Sequence, residues 1–147
     1  MSKLILLFFN FCLLAACSAC NQDSGPVPIE LSRDACSSCK MTIVDGRYGG
    51  EFVSDKGKIY KFDAVDCLIQ FQRKNPTLQG KTYISNFAQP GTLIEATQVI
   101  FATLDTRKSP MGSRYVGFSS AAEAQASLGD LTQPLMSWPE LFKNLSR

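Results

Sequence analysis

An α+β fold is what this chain of 147 residues predicts: two similar small β-β-α units packed as one compact body. Three observations carry that expectation. Short segments rich in β-branched and aromatic residues are set apart by Gly-containing turns. Two pairs of such segments each end on a Phe, followed by a polar residue and a helical spacing of apolar positions. The same order then recurs in the second half, so the halves, roughly 36–80 and 93–130, read as an internal duplication within a domain over 32–147.

In the first half, Thr42-Ile43-Val44 is a short strand candidate and Asp45 to Gly50 is a turn-rich break. Glu51-Phe52-Val53-Ser54 and Ile59-Tyr60-Lys61-Phe62 are strands, joined by the tight hairpin turn Asp55-Lys56-Gly57-Lys58. Asp63 is a plausible N-cap. Ala64, Cys67, Leu68 and Phe71 then fall at helical spacing, and Cys67 reads as a small core residue. The helix stops before Asn75-Pro76. In the second half, Ala96 to Leu104 is a strand, a loop runs through Lys108-Ser109-Pro110-Met111-Gly112, and Tyr115-Val116-Gly117-Phe118 is a strand. Ser119 or Ser120 caps a helix over 121–128 that Gly129 ends. Leu141 and Phe142, after Trp138-Pro139, cover a core edge, and Met136 reads as structural.

The N-terminus places the protein. Lys3 precedes thirteen residues, Leu4 to Ala16, all apolar except Asn10, a stretch short for a membrane span and right for a signal-peptide core. It ends in Leu14-Ala15-Ala16-Cys17, which resembles a bacterial lipobox: residues 1–16 are cut away and lipid is attached to Cys17. Cys20 is a less well framed candidate. Ser18 after Cys17 suggests the outer membrane. Residues 17–31 then form the lipidated Cys and a polar, Pro- and Gly-containing tether. The mature chain faces an oxidising, periplasmic compartment. The formal net charge is +2, with no basic patch dense enough to argue for nucleic acid.

The chemistry is concentrated in Cys36-Ser37-Ser38-Cys39-Lys40-Met41, in a chain without histidine. Three readings compete. A structural zinc site wants four Cys or His ligands, usually with a second Cys pair, and none is present. A thiol oxidoreductase wants its attacking Cys at a helix N-terminus, whereas Lys40 to Val44 leads into β structure; a passive Cys36–Cys39 disulfide at rest fits the compartment better. The third is Cu(I), selected by soft thiolate and thioether donors. On a strand Cys39 and Met41 share one face, and Met111 stands in a Pro-Met-Gly loop, where methionine is not default core filler.

CSSCKMTIVDGRYGG, then GKIYKFDAVDCLIQF, then SPMGSRYVGFSSAAEAQASLG, in that order behind a lipoprotein signal, together resemble the NosL-type lipoproteins, copper chaperones for nitrous oxide reductase. The first half is also similar to the small TRASH or YHS metal-handling domains, but Lys40 stands where those have Gly and Asp63 where they have a Cys. The NosL resemblance implies Cys39 and Met111 as the first Cu(I) ligands, with Met41 and Cys36 next. Some relatives carry His beside the cysteine motif; here Cys36 can take its place. The resemblance further implies a non-enzymatic carrier that works with nitrous oxide reductase and its ABC-type assembly complex in denitrification, with one ion per chain or one shared in a homodimer. A carrier or sensor of another soft metal is the alternative, and a thiol-disulfide oxidoreductase a more distant one.

Overall fold

The structure, a computed structural model, describes residues 25–106, 109 and 112–145. The signal segment, Cys17, Cys20, Lys108, Pro110 and Met111 lie outside the described residues. The elements run β1 (Gly50–Ser54), β2 (Ile59–Phe62), α1 (Val65–Lys74), β3 (Gly80–Ser85), β4 (Leu93–Glu95), a 3-10 turn (Ala96–Gln98), β5 (Ile100–Thr103), β6 (Tyr115–Phe118), α2 (Ala121–Leu128) and α3 (Trp138–Asn144).

Both β-β-α units form. The hairpin β1–β2 pairs Gly50 with Phe62 and Val53 with Ile59, and the hairpin β5–β6 pairs Ile100 with Phe118 and Thr103 with Tyr115. Each is followed directly by its helix, and the second helix is capped as expected, with the Ser120 hydroxyl accepting from the Glu123 amide and Gly129 at its end. The first hairpin is widened by strands not expected from the sequence. β3 pairs antiparallel with the other edge of β1, and β4 with β3, giving a sheet in the order β2-β1-β3-β4 beside the two-stranded sheet β5-β6.

Among the described residues the sheets are tied at Gly117: Asn86 bridges to it, and the Phe87 amide donates to its carbonyl at 2.9 Å. The residue there has to be glycine, because a Cβ would stand 2.7 Å from Ile84 and 2.9 Å from Val99. The apolar interior follows the two sheets. Phe52, Phe62, Leu68, Ile84, Phe101 and Leu141 fill the larger core, and Tyr48, Phe87, Val116 and Phe118 the smaller.

Two expected strands are altered. Thr42-Ile43-Val44 makes one bridge, Ala35 with Thr42, because Lys40 sits at φ 68 and turns the chain back on itself. Residues 96–104 begin as a tight turn closed by the Val99 amide on the Ala96 carbonyl, so the strand starts at Ile100. Met136 is structural as expected, its backbone pairing with Phe101 in both directions. Trp138–Asn144 is a helix opened by a Ser137–Glu140 capping box.

Candidate metal centre

The first cysteine pair sits on a knuckle. The Cys36 amide donates to the Met41 carbonyl at 2.8 Å and the Lys40 amide to the Cys36 carbonyl at 2.9 Å, which closes the loop between them. The left-handed turn residue is Lys40, and a non-Gly residue there costs about 1 kcal/mol. The knuckle is held against the edge strand: the Ser37 amide donates to the Lys61 carbonyl at 2.7 Å, and the Lys61 amide to the Ser37 hydroxyl at 3.2 Å.

That docking brings the knuckle to the junction of β2 and α1. Asp63 follows Phe62, the last residue of β2, and Cys67 lies in the first turn of α1. Asp63 precedes the extended cap residue Ala64, so the strand-to-helix junction rather than a helical repeat brings its side chain beside Cys67. One ligand atom from each of Cys36, Cys39, Asp63 and Cys67 lies within 4.8 Å of all the others, a group close enough to hold one metal ion. Cys36 and Cys67 are buried and Cys39 is half-buried, so Cys39 is the accessible side of the group. The Cys39 thiol points to Asp63 Oδ1 at 3.8 Å.

The protonation of the group follows from its crowding. The Cys67 thiol donates to Cys36 Sγ, and the amides of Cys39, Asp63 and Ser38 add to this against the burial of the site, holding Cys36 down to about 4. With one thiolate there, a second is resisted: the hydrogen bond to Cys36 pushes Cys67 up, and burial pushes Cys39 up. Burial, with the Cys36 thiolate beside it, lifts the Asp63 carboxyl to about 6. A cation entering the group would therefore be met by one prepared thiolate and would displace protons from the others.

Of the residues expected from the sequence, Cys36 and Cys39 come together, with their thiols free. Met41 contributes its carbonyl to the knuckle, while half of its surface, 50%, remains exposed. Met111 and Cys17 fall outside the described residues. Asp63 and Cys67 join the group, though the sequence suggested a cap and a core residue. Asp63 is not the cap, since Ala64 holds that position without a side-chain bond. Cys67 is indeed buried in the core. The signal that could have found both is their spacing of four across a strand-to-helix junction.

The NosL family model matches residues 26–135. Among solved structures, the crystal structure of the copper chaperone NosL from Shewanella denitrificans is similar, with a TM-score of 0.66 and 21% identity, covering 80% of this chain and 95% of that one. At that identity the likeness concerns the fold. No curated protein matches the sequence.

Proposed function

The chain belongs to the NosL family, and from that membership together with its thiol cluster we propose that it is a copper chaperone of the cell envelope that carries Cu(I) as cargo. The observation that carries this reading is the convergence of three thiols on one point. Thiolate sulfur is a soft donor that prefers Cu(I) to hard divalent ions. Cys36 and Cys67 form the buried grip, and half-buried Cys39 is the exit. An acceptor's ligand can replace Cys39 first, so the ion passes through shared coordination without ever being free. Met41 and Met111 remain the thioether candidates that the family resemblance implies. A thiol-disulfide oxidoreductase is disfavoured by the same geometry, because the thiol held most strongly as thiolate, Cys36, is 0% exposed and out of reach of a protein disulfide.

The finer reading rests on family membership and on the N-terminal sequence. Acylated at Cys17, the protein faces the periplasm from the outer membrane and supplies copper for nitrous oxide reductase through an ABC-type assembly complex. Anaerobic Cu(I) titration of the reduced chain against a competing chelator tests the cargo. The expected result is one tightly held ion per chain, lost in Cys36→Ser and in Cys67→Ala. Unchanged Cu(I) binding in both variants would overturn the assignment. For the cellular role, deleting the gene should leave nitrous oxide reductase without copper.

A second reading has one observation in its favour. Three sulfurs and the Asp63 oxygen make a four-donor set that also suits Zn²⁺. The variant Asp63→Asn separates the two: it weakens Zn²⁺ binding and leaves Cu(I) binding nearly intact if copper is the cargo.

A further inference from the structure

The end of the molecule opposite the thiol cluster has a character of its own. Helix α1 carries Cys67 in its first turn and Arg73 and Lys74 in its last, a rise of about 10 Å over the six to seven residues between them. The sheet has the same polarity. Gly50 of β1 pairs with Phe62, next to Asp63, while Ser54 at the other end of β1 pairs with Gly80.

At this far end lies an open groove of about 910 Å³, with Phe52, Leu78, Trp138 and Phe142 among its walls and no acidic residue lining it. Arg73 and Lys143 are its charged walls. The Arg73 guanidinium donates to the Phe142 carbonyl at 3.2 Å and stacks over the Phe142 ring. Lys74 closes α1 beside it, Lys56 and Lys58 sit in or beside the β1–β2 turn, and Lys81 is the second residue of β3. Six cations thus gather at one pole, against Asp55 in the turn and Glu140 on α3.

The geometry points to this pole as a surface that docks on an anionic phospholipid bilayer. The inference rests on the reading of the chain as a lipid-anchored protein. The cations come from four separate elements at one end of the domain, which suits a charged plane better than a single acidic segment. An indole and a phenyl ring among basic residues form the combination that settles at a membrane interface. Docking by this pole turns the thiol cluster away from the bilayer, where an acceptor can reach it.

Trp138 is the only tryptophan in the chain, so its fluorescence reports this surface directly. The test uses the full chain as the cell produces it, with its acylation read by mass spectrometry. Vesicles containing phosphatidylglycerol should shift Trp138 emission to the blue, and brominated acyl chains in them should quench it. Vesicles of phosphatidylcholine alone, and inorganic phosphate, should leave it unchanged. Reversing the exposed lysines in Lys56→Glu, Lys74→Glu and Lys143→Glu should weaken the response by about five-fold per residue, the effect of about 1 kcal/mol for each basic group at an anionic surface, with far-UV circular dichroism showing that the variants fold. An acylated protein whose Trp138 ignores lipid charge, or answers only to an acidic peptide, would overturn the inference while the anchor stands. An unacylated protein whose Trp138 still responds to phosphatidylglycerol would remove the anchor and keep the surface.

Discussion

The two β-β-α units meet their helices in the same way and use the junction differently. In the first, Phe62 is followed by Asp63, then by the cap position Ala64, and Cys67 stands three residues later. In the second, Phe118 is followed by Ser119, then by the cap position Ser120, and Glu123 stands three residues later. In the second unit these positions look after the helix. The Ser120 hydroxyl accepts from the Glu123 amide at 3.1 Å, and the Glu123 carboxylate accepts from the Ser119 amide and from Asn86 and Gln89. In the first unit they do not. Ala64 offers no side-chain cap, and the first helical amide, Val65, is met instead by the Tyr48 carbonyl at 3.0 Å. With capping handed to a neighbouring backbone, Asp63 and Cys67 are free to face the knuckle. Two alike frames thus differ at this point: one junction uses these positions to hold its helix, and the other turns them toward a group that could hold a metal ion.

The largest effect tests what the junctions share. Phe62 and Phe118 are both fully buried, each at the end of its hairpin. Phe62→Ala and Phe118→Ala should each lower unfolding stability by about 3–5 kcal/mol in denaturant titrations. A clearly unequal pair would mean that the two units are not equivalent as frames. Cys67→Ala should then separate them by function, lowering Cu(I) affinity by more than about 100-fold, since loss of a direct ligand should exceed the 10–100-fold cost of an outer-shell partner. Glu123→Ala, the matching position, should leave Cu(I) affinity unchanged; a fall comparable to that of Cys67→Ala would dissolve the contrast.

Smaller effects sharpen it. Ser120→Ala should cost about 1 kcal/mol by removing a true cap, read as a lower thermal midpoint with copper binding intact. The smallest concerns pH. Hydrogen bonds from Ser119, Asn86 and Gln89 hold the Glu123 carboxyl down to about 2, from an ordinary 4.5. A depressed carboxyl stabilises the fold at pH above the ordinary value, and that contribution drains away as pH falls through the depressed one. Because Glu123 is half-buried at the surface, solvent screening should keep the contribution below about 1 kcal/mol. Glu123→Gln should therefore flatten the acid limb of a stability-against-pH curve between about 4.5 and 2. An unchanged limb would show that the latch carries no net stability.

How far the sequence could be read follows the range of the interactions. Within one hairpin or one helix the reading holds: the turn after Ser54, the strands ending at Phe62 and Phe118, the stop at Lys74, Ser120 and Gly129 as the ends of α2. Each depends on residues a few positions apart, so local propensity and spacing suffice. Cys36 and Cys39 were legible as partners in one group for the same reason. Strand β3 was not, because its partner β1 lies some thirty positions earlier and its own short alternating pattern does not announce it. Nor was α3, only seven residues long and too short for a helical period to declare itself.

The amino-acid sequence alone determined the repeated β-β-α order, the Cys36–Cys39 pairing of thiols three apart and the soft character of those donors, since these depend on residue type and short spacing. Only the tertiary structure decided that Asp63 and Cys67 complete the group, that Met41 lends its carbonyl to the knuckle, and that scattered lysines gather at the opposite pole. Those outcomes need the knuckle to dock on β2 and α1 to run the length of the sheet, and such long-range closures leave no periodic trace along the chain.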